Sequence, residues 1–161
     1  MDRQNWQPTS DKHMLEARAA LLGQIRRFFH DRQVLEVETP ILSAAAGTDL
    51  TLDSLLTTLQ GNGSEGQTRY LQTSPEFAMK RLLASGSGPI YQLAKSFRNG
   101  EAGNKHNPEF TMLEWYRPGY SLTQLMDEVE ELASLVLGLG KAERLTYSEL
   151  FFRYLDIDPL A

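Results

Sequence analysis

The amino-acid sequence predicts an α+β fold, an antiparallel sheet with flanking helices. Three observations carry that expectation. Apolar residues recur at helical spacing from about residue 12 to 32. Two runs in the middle of the chain, Ile90–Arg98 and Phe110–Arg117, read as strands. Two capping boxes, Ser121 with Gln124 and Thr146 with Glu149, open helices late in the chain.

Taken in order, residues 1–11 are polar and read as a leader. In the first helix Leu15, Ala19, Leu22, Ile25 and Phe29 share one face, which predicts that this face is buried. Val34–Thr39 follows as a short strand, and Pro40 ends it because proline lacks a ladder donor. Residues 43–51 are small and polar and read as a loop. Strands near 52–59 and 68–73 form a hairpin around the turn Gly61-Asn62-Gly63-Ser64-Glu65-Gly66. Ser74-Pro75-Glu76 opens a helix: serine caps, proline suits the first helical position, and an acid suits the positive end of the dipole. Gly86-Ser87-Gly88-Pro89 stops it. Residues 99–109 separate the two long strands. Hairpin loops usually have ~2–5 residues, so a loop this long is either functional or disordered. Leu122, Leu125, Met126, Val129, Leu132 and Val136 mark an amphipathic helix ending near Gly138, and a short helix runs from Thr146 through Tyr154.

The chain has 161 residues and a formal net charge of −5, with 41% hydrophobic and 23% charged residues. That is the length of one domain or of a piece of a larger one, with an ordinary globular composition. No apolar run approaches the ~18 residues of a membrane span. No apolar signal core lies near the start, so the expected location is the cytoplasm. Cysteine is absent, which excludes disulfides, a thiol nucleophile and Cys-ligated metals. His13, His30 and His106 are scattered and do not make a metal centre. The acidic balance argues against tight non-specific binding to nucleic acid, which needs clustered Lys and Arg.

Ser96 to Pro118 is the informative stretch. Alternation places Phe110, Met112, Glu114 and Tyr116 on one face of the second long strand, and Thr111, Leu113 and Trp115 on the other. The second set can serve as core. The first mixes an aromatic, a thioether, a carboxylate and a phenol. An unpaired buried carboxylate is costly, and a ligand cation would pair it. Arg98 ends the neighbouring strand beside a loop carrying Lys105 and His106, a grouping that suits polyphosphate. Phe110 offers a face to a flat base. The alternative is that Glu114 pairs with Arg98 or Lys105 and the loop is a solvated turn; spacing alone does not choose. Ser74-Pro75-Glu76 by itself is an ordinary helix start, and Glu36 and Glu38 read as a solvated strand face.

Phe97-Arg98-Asn99, followed by His106-Asn107-Pro108-Glu109-Phe110-Thr111-Met112-Leu113-Glu114, resembles motif 2 of class II aminoacyl-tRNA synthetases of the lysyl type. Arg18–Leu42, a long helix leading to a strand and Pro40, resembles motif 1. The resemblance covers residues 12–160. Thr73-Ser74-Pro75-Glu76 and Glu114-Trp115-Tyr116-Arg117-Pro118 are closer to a paralogous group, the elongation factor P lysine ligases, than to lysyl-tRNA synthetases. That group lacks the N-terminal anticodon-binding domain, and this chain begins just before the motif 1 helix.

The resemblance implies the class II catalytic-domain fold over residues 12–161, in part: motifs 1 and 2 are present and motif 3 is missing. It implies that Arg98 contacts the α-phosphate of ATP and the carboxylate of the amino acid. Asn99, Gly100, Glu101, His106 and Asn107 would bind or orient the nucleotide, and Phe110 would stack on adenine. Glu76 would pair with an amino group of the substrate, Ser74 and Pro75 would shape that pocket, and Glu114 with Tyr116 would hold the substrate's amino end. The implied reaction activates lysine or β-lysine as an adenylate, using ATP and Mg²⁺, and transfers it to a lysine of elongation factor P. No covalent enzyme nucleophile takes part. A homodimer through the motif 1 region is implied, without anticodon contact or membrane.

Two departures stand out. Glycine, Gly100, occupies the position after Asn99 where the pattern has Glu; Glu101 takes its place by a one-residue slip, or the ATP contact is weakened. Nothing after Tyr154 resembles motif 3 or the acidic Mg²⁺ ligands, so the expectation is a chain with half the catalytic domain, inactive alone and holding no metal. The competing readings are a non-catalytic remnant or dimerisation module, and a fragment of a true lysyl-tRNA synthetase.

Overall fold

The structure, a computed structural model, describes residues 6–61 and 66–160. Residues 1–5 of the expected leader and 62–65 of the expected hairpin turn lie outside the described residues. Two compact units are present, Met1–Tyr120 and Ser121–Ala161.

The first unit opens with helix α1, Lys12–His30, where Asp11 accepts a hydrogen bond from the Met14 N–H at 2.8 Å. Six strands and one helix follow: β1 Leu35–Glu36, β2 Leu42–Ser43, β3 Leu56–Leu59, β4 Gln67–Leu71, helix α2 Glu76–Ala84, β5 Ile90–Phe97 and β6 Glu109–Tyr116. One sheet has the order β1-β5-β6 and the other β2-β4-β3. β5 and β6 are antiparallel over their whole length, from Ile90 opposite Tyr116 to Phe97 opposite Glu109. β1 joins β5 in parallel over two residues. The Phe97 N–H donates to the Gln72 carbonyl at 2.9 Å and Gln72 Nε2 donates to the Lys95 carbonyl at 2.8 Å, stitching the two sheets together.

The expected strand over 34–39 is reduced to two ladder residues, and Leu42–Ser43, expected at the start of a loop, pairs with β4. The chain leaves β5 where Thr39 turns its hydroxyl to Gln92 Oε1 at 3.0 Å, just before Pro40. Beyond Pro40 the chain meets the exposed edge of β4 and its backbone groups pair there. The helix expected from Ser74 begins at Glu76, with Pro75 as its cap; the Ser74 hydroxyl still accepts from the Glu76 N–H at 3.0 Å.

α1 packs its last turns onto one face of β5 and β6. Phe29 is fully buried, stacks on Tyr91 at 4.5 Å between ring centroids, and lies 5.5 Å from Trp115. The continuous buried stripe expected along α1 is not found: Ile25, Phe28 and Phe29 are buried, but Met14 and Leu15 are 57% and 56% exposed. At that end the sheet face is polar. Lys95 lies opposite Thr111 and pairs with Glu109 at 3.0 Å, and Arg18 of α1 donates to the Thr111 hydroxyl at 2.8 Å. An apolar stripe gains nothing over such a surface. Glu36, expected on a solvated face, is engaged. Arg26 Nε donates to its two oxygens at 3.1 and 3.2 Å, and the Tyr91 hydroxyl donates at 2.9 Å.

The opposite face of β5, made by Ile90, Gln92, Ala94 and Ser96, is buried throughout. These residues lie opposite Tyr116, Glu114, Met112 and Phe110. The core assigned to Thr111, Leu113 and Trp115 is therefore shared with the face that carries Glu114.

In the second unit α3 spans Leu122–Leu137 and α4 spans Tyr147–Leu155. Both expected capping boxes are complete, at Ser121/Gln124 and Thr146/Glu149. Gly138 ends α3 at φ 65°, a left-handed conformation that glycine adopts without strain. Arg144 binds Asp127 at 2.6 Å and Glu130 at 2.7 Å, tying the connecting segment to α3.

Candidate active site

The even-numbered face of β6 carries two groups of functional side chains. At one end, Glu114 is half-buried and receives two hydroxyl donors. The Ser74 hydroxyl, entering from the segment that leads into α2, donates to its Oε1. The Tyr116 hydroxyl donates to its Oε2 at 2.9 Å. One serine thus holds a helix start and a strand carboxylate together, since its oxygen also accepts from the Glu76 N–H. The expected alternative, in which Glu114 pairs with Arg98 or Lys105, is not found.

The other face of the same sheet shows what is missing. There Glu36 also receives a tyrosine hydroxyl, and Arg26 completes it as a charge pair. Glu114 has the hydroxyls without the cation: among the described residues no Lys, Arg or His pairs with it. Hydroxyl donors only partly offset the desolvation of a carboxylate. A cationic ligand group would complete the site as Arg26 completes Glu36.

Arg98 lies at the other end. It follows β5, and its N–H donates to the Pro108 carbonyl at 2.9 Å, which places its side chain beside Phe110. The guanidinium lies 5.1 Å from the Phe110 ring centroid and 3.8 Å from Glu101. Its Nε is buried and has no hydrogen-bond partner among the described residues. Phe110 and Glu114 are four positions apart along the strand, about 13 Å at strand rise. The face therefore carries a guanidinium at one end and a carboxylate at the other.

The sequence pattern of the family described as "tRNA synthetases class II (D, K and N)" matches residues 5–154. The chain belongs to this class II tRNA synthetase family. Its similarity to individual relatives is also high. It is 57% identical over 158 residues to the elongation factor P–(R)-β-lysine ligase of Yersinia enterocolitica and to that of Photorhabdus laumondii, covering 98% of this chain and 49% of each relative. The ligase of Yersinia pestis is 55% identical over 161 residues, covering 99% of this chain and 50% of the relative. The chain spans about half the length of these curated relatives.

In this class II synthetase chain, the other residues expected at the site divide into two sets. Ser74, Glu114 and Tyr116 meet directly, and Pro75 is buried behind them as the cap of α2. Glu76 is half-buried with its carboxylate on Lys80 at 2.5 Å, one helical turn away. Arg98, Phe110 and Glu101 meet at the second group. Asn99 anchors the loop through its N–H to the Asp53 carbonyl at 2.8 Å, and Gly100 turns at φ 80°. His106 and Asn107 are exposed. His106 pairs with Gly103 through the backbone, so part of the long loop is a small ordered turn.

Gln92 and Asp49 were not anticipated. Gln92 is buried opposite Glu114, and a polar residue among Ile90, Ala94 and Ser96 was its signal. Asp49 is held below the usual carboxylate range by the Thr51 N–H and hydroxyl, with a smaller contribution from Arg98. Its proximity to Arg98 has no local signal. Among the described residues no group of three or more His, Asp or Glu side chains is placed to hold a metal ion. No helix of the described residues is long and apolar enough to cross a membrane.

The two tyrosine–carboxylate pairs predict an alkaline limit to stability. Burial pushes both phenols well above their ordinary value, and the neighbouring carboxylate, Glu36 for Tyr91 and Glu114 for Tyr116, pushes in the same direction. The folded chain then keeps protons that the unfolded chain releases above about pH 10. Stability should be insensitive to these groups below that pH and fall above it, by at most about 1.4 kcal/mol per pH unit for each phenol. Urea unfolding at stepped alkaline pH checks this, with Tyr91→Phe and Tyr116→Phe flattening the decline. A decline that both variants leave unchanged belongs to other groups.

Proposed function

We propose that this chain carries the part of an adenylating site that binds a diamino acid and the α-phosphate of ATP, in a ligase that loads lysine or β-lysine onto a lysine of elongation factor P. The observation that carries the reading is Glu114, which among the described residues has two hydroxyl donors and no cation, where Glu36 on the opposite face has its arginine. The ammonium of the substrate supplies the missing charge, and Tyr116 and Ser74 fix the carboxylate that receives it. Glu76 exchanges Lys80 for a second amino group. At the other end Arg98 pairs with the substrate carboxylate and the α-phosphate, and Phe110 stacks on the base.

The chemistry then needs no covalent nucleophile from the protein. A carboxylate oxygen of the substrate attacks the α-phosphorus, the bond to the bridging oxygen breaks, and pyrophosphate leaves. The amine of the acceptor lysine next attacks the activated carbonyl and AMP leaves. Position and charge stabilisation at Arg98 are this chain's contribution. Residues 12–161 are proposed as the N-terminal part of the catalytic domain. A homodimer through α1 and β1 fits the exposure of Met14, Leu15 and Leu35.

The test uses a chimera in which this chain replaces the matching half of the Yersinia enterocolitica relative. Exchange of labelled pyrophosphate into ATP is measured with lysine, β-lysine, norleucine and glutamate, followed by transfer to elongation factor P. Lysine or β-lysine should support exchange and norleucine should not. Equal exchange with lysine and norleucine would remove the cation subsite from the reading.

A further inference from the structure

We propose that Glu101 is a displaceable counter-ion, which occupies Arg98 in the free chain and gives way to the phosphate of an incoming ligand. This rests on the nucleotide reading of Arg98 given above. A partly buried guanidinium needs a counter-charge, and the side chain of Arg98 is 24% exposed. The charge it has is poorly placed. Glu101 approaches one terminal nitrogen at 3.8 Å, outside hydrogen-bond range, while Nε stays buried without a hydrogen-bond partner among the described residues. Glu101 itself is 33% exposed, so it can leave toward solvent.

The loop is built to make this approach. Gly100 at φ 80° reverses the chain so that the residue after it returns to Arg98, a conformation strained for any other side chain. The Asn99 N–H on Asp53 and the Ala102 N–H on the Gly100 carbonyl, at 2.8 and 3.1 Å, hold the turn on both sides. The negative charge of Asp49 also acts in the field of Arg98. A phosphate offers two oxygens to the guanidinium fork, and a bidentate charge-assisted contact outcompetes a single ion pair at this distance. Phosphate and Glu101 carry the same sign and repel each other at Arg98. Glu101 therefore lowers affinity for the nucleotide and screens Arg98 when no ligand is bound.

Calorimetric binding of ATP and of inorganic pyrophosphate to the 161-residue chain tests this. Glu101→Gln should bind both on the order of threefold more tightly than the parent chain. Arg98→Ala should bind them more weakly, and the gain from Glu101→Gln should vanish in the Arg98→Ala background. A merely structural role for Glu101 would not produce that dependence on Arg98. Circular dichroism establishes that each variant is folded. Unchanged or weaker binding by Glu101→Gln, with Arg98→Ala still impaired, overturns the counter-ion proposal and leaves the nucleotide reading standing. If the parent chain and all variants bind neither ATP nor pyrophosphate, the nucleotide reading falls and takes the proposal with it.

Discussion

Arg98→Ala, in the chimera with the Yersinia enterocolitica half, is expected to lower the exchange rate by about 10²–10³-fold, or about 2.7–4 kcal/mol, the scale of removing one oriented donor from a developing oxyanion. Among the described residues the Arg98 guanidinium is the cation set beside the Phe110 ring, and charge on the α-phosphate grows as the substrate carboxylate attacks. The fold should survive the change, because what anchors this point of the chain is backbone: the Arg98 N–H to Pro108 and the Asn99 N–H to Asp53. The side chain adds one long ion pair, to Glu101, and its contact with the Phe110 ring. Circular dichroism should therefore be unchanged while kcat falls. Exchange within about threefold of the parent would remove Arg98 from the reaction, since that is far below the loss of one such donor.

Glu114→Gln is expected to raise the KM for lysine or β-lysine on the order of 10²-fold, within the range of about 2–5 kcal/mol for losing one partner of a desolvated charge pair. The amide keeps the shape of the carboxylate and loses its charge. It also disturbs the two hydroxyls, because Ser74 and Tyr116 both donate to Glu114 and an amide offers only one acceptor oxygen. The selectivity is the sharper readout. Norleucine has no side-chain ammonium, so its weak binding should stay the same or improve in the variant, and the preference for a diamino acid should collapse. A parallel loss for lysine and norleucine would instead mean that Glu114 supports the pocket without reading charge.

Local groups made much of the fold legible. Ser121 with Gln124 and Thr146 with Glu149 satisfy orphan backbone donors within one helical turn, so the start of both late helices can be read from four residues. The two long strands carry their faces in their own alternation, and Glu114 stands out there because a carboxylate on an aromatic and thioether face is costly. Arg98, Phe110, Ser74, Glu76 and Tyr116 were legible through their resemblance to a known motif, which stores spatial neighbours as a word of sequence. Burial along α1 was not legible in this way. Leu15 and Phe29 lie within about 40° of each other around the helix, yet Leu15 is exposed and Phe29 is fully buried.

The sequence by itself therefore determined where the two late helices start, which residues share a face of β6, and that one of them is a carboxylate among aromatic and thioether side chains, because each depends on neighbours within a few residues. Tertiary structure alone decided which partners that carboxylate receives. Ser74 reaches it across 40 positions of chain. Arg26 is brought to Glu36 on the opposite face, and Arg98 is left with Glu101. Those choices depend on strand register and on which face each helix covers. Coulomb and hydrogen-bond energies fall off within a few ångströms, so a charge is neutralised by whatever the fold sets beside it, and the order of the residues along the chain does not contain that distance.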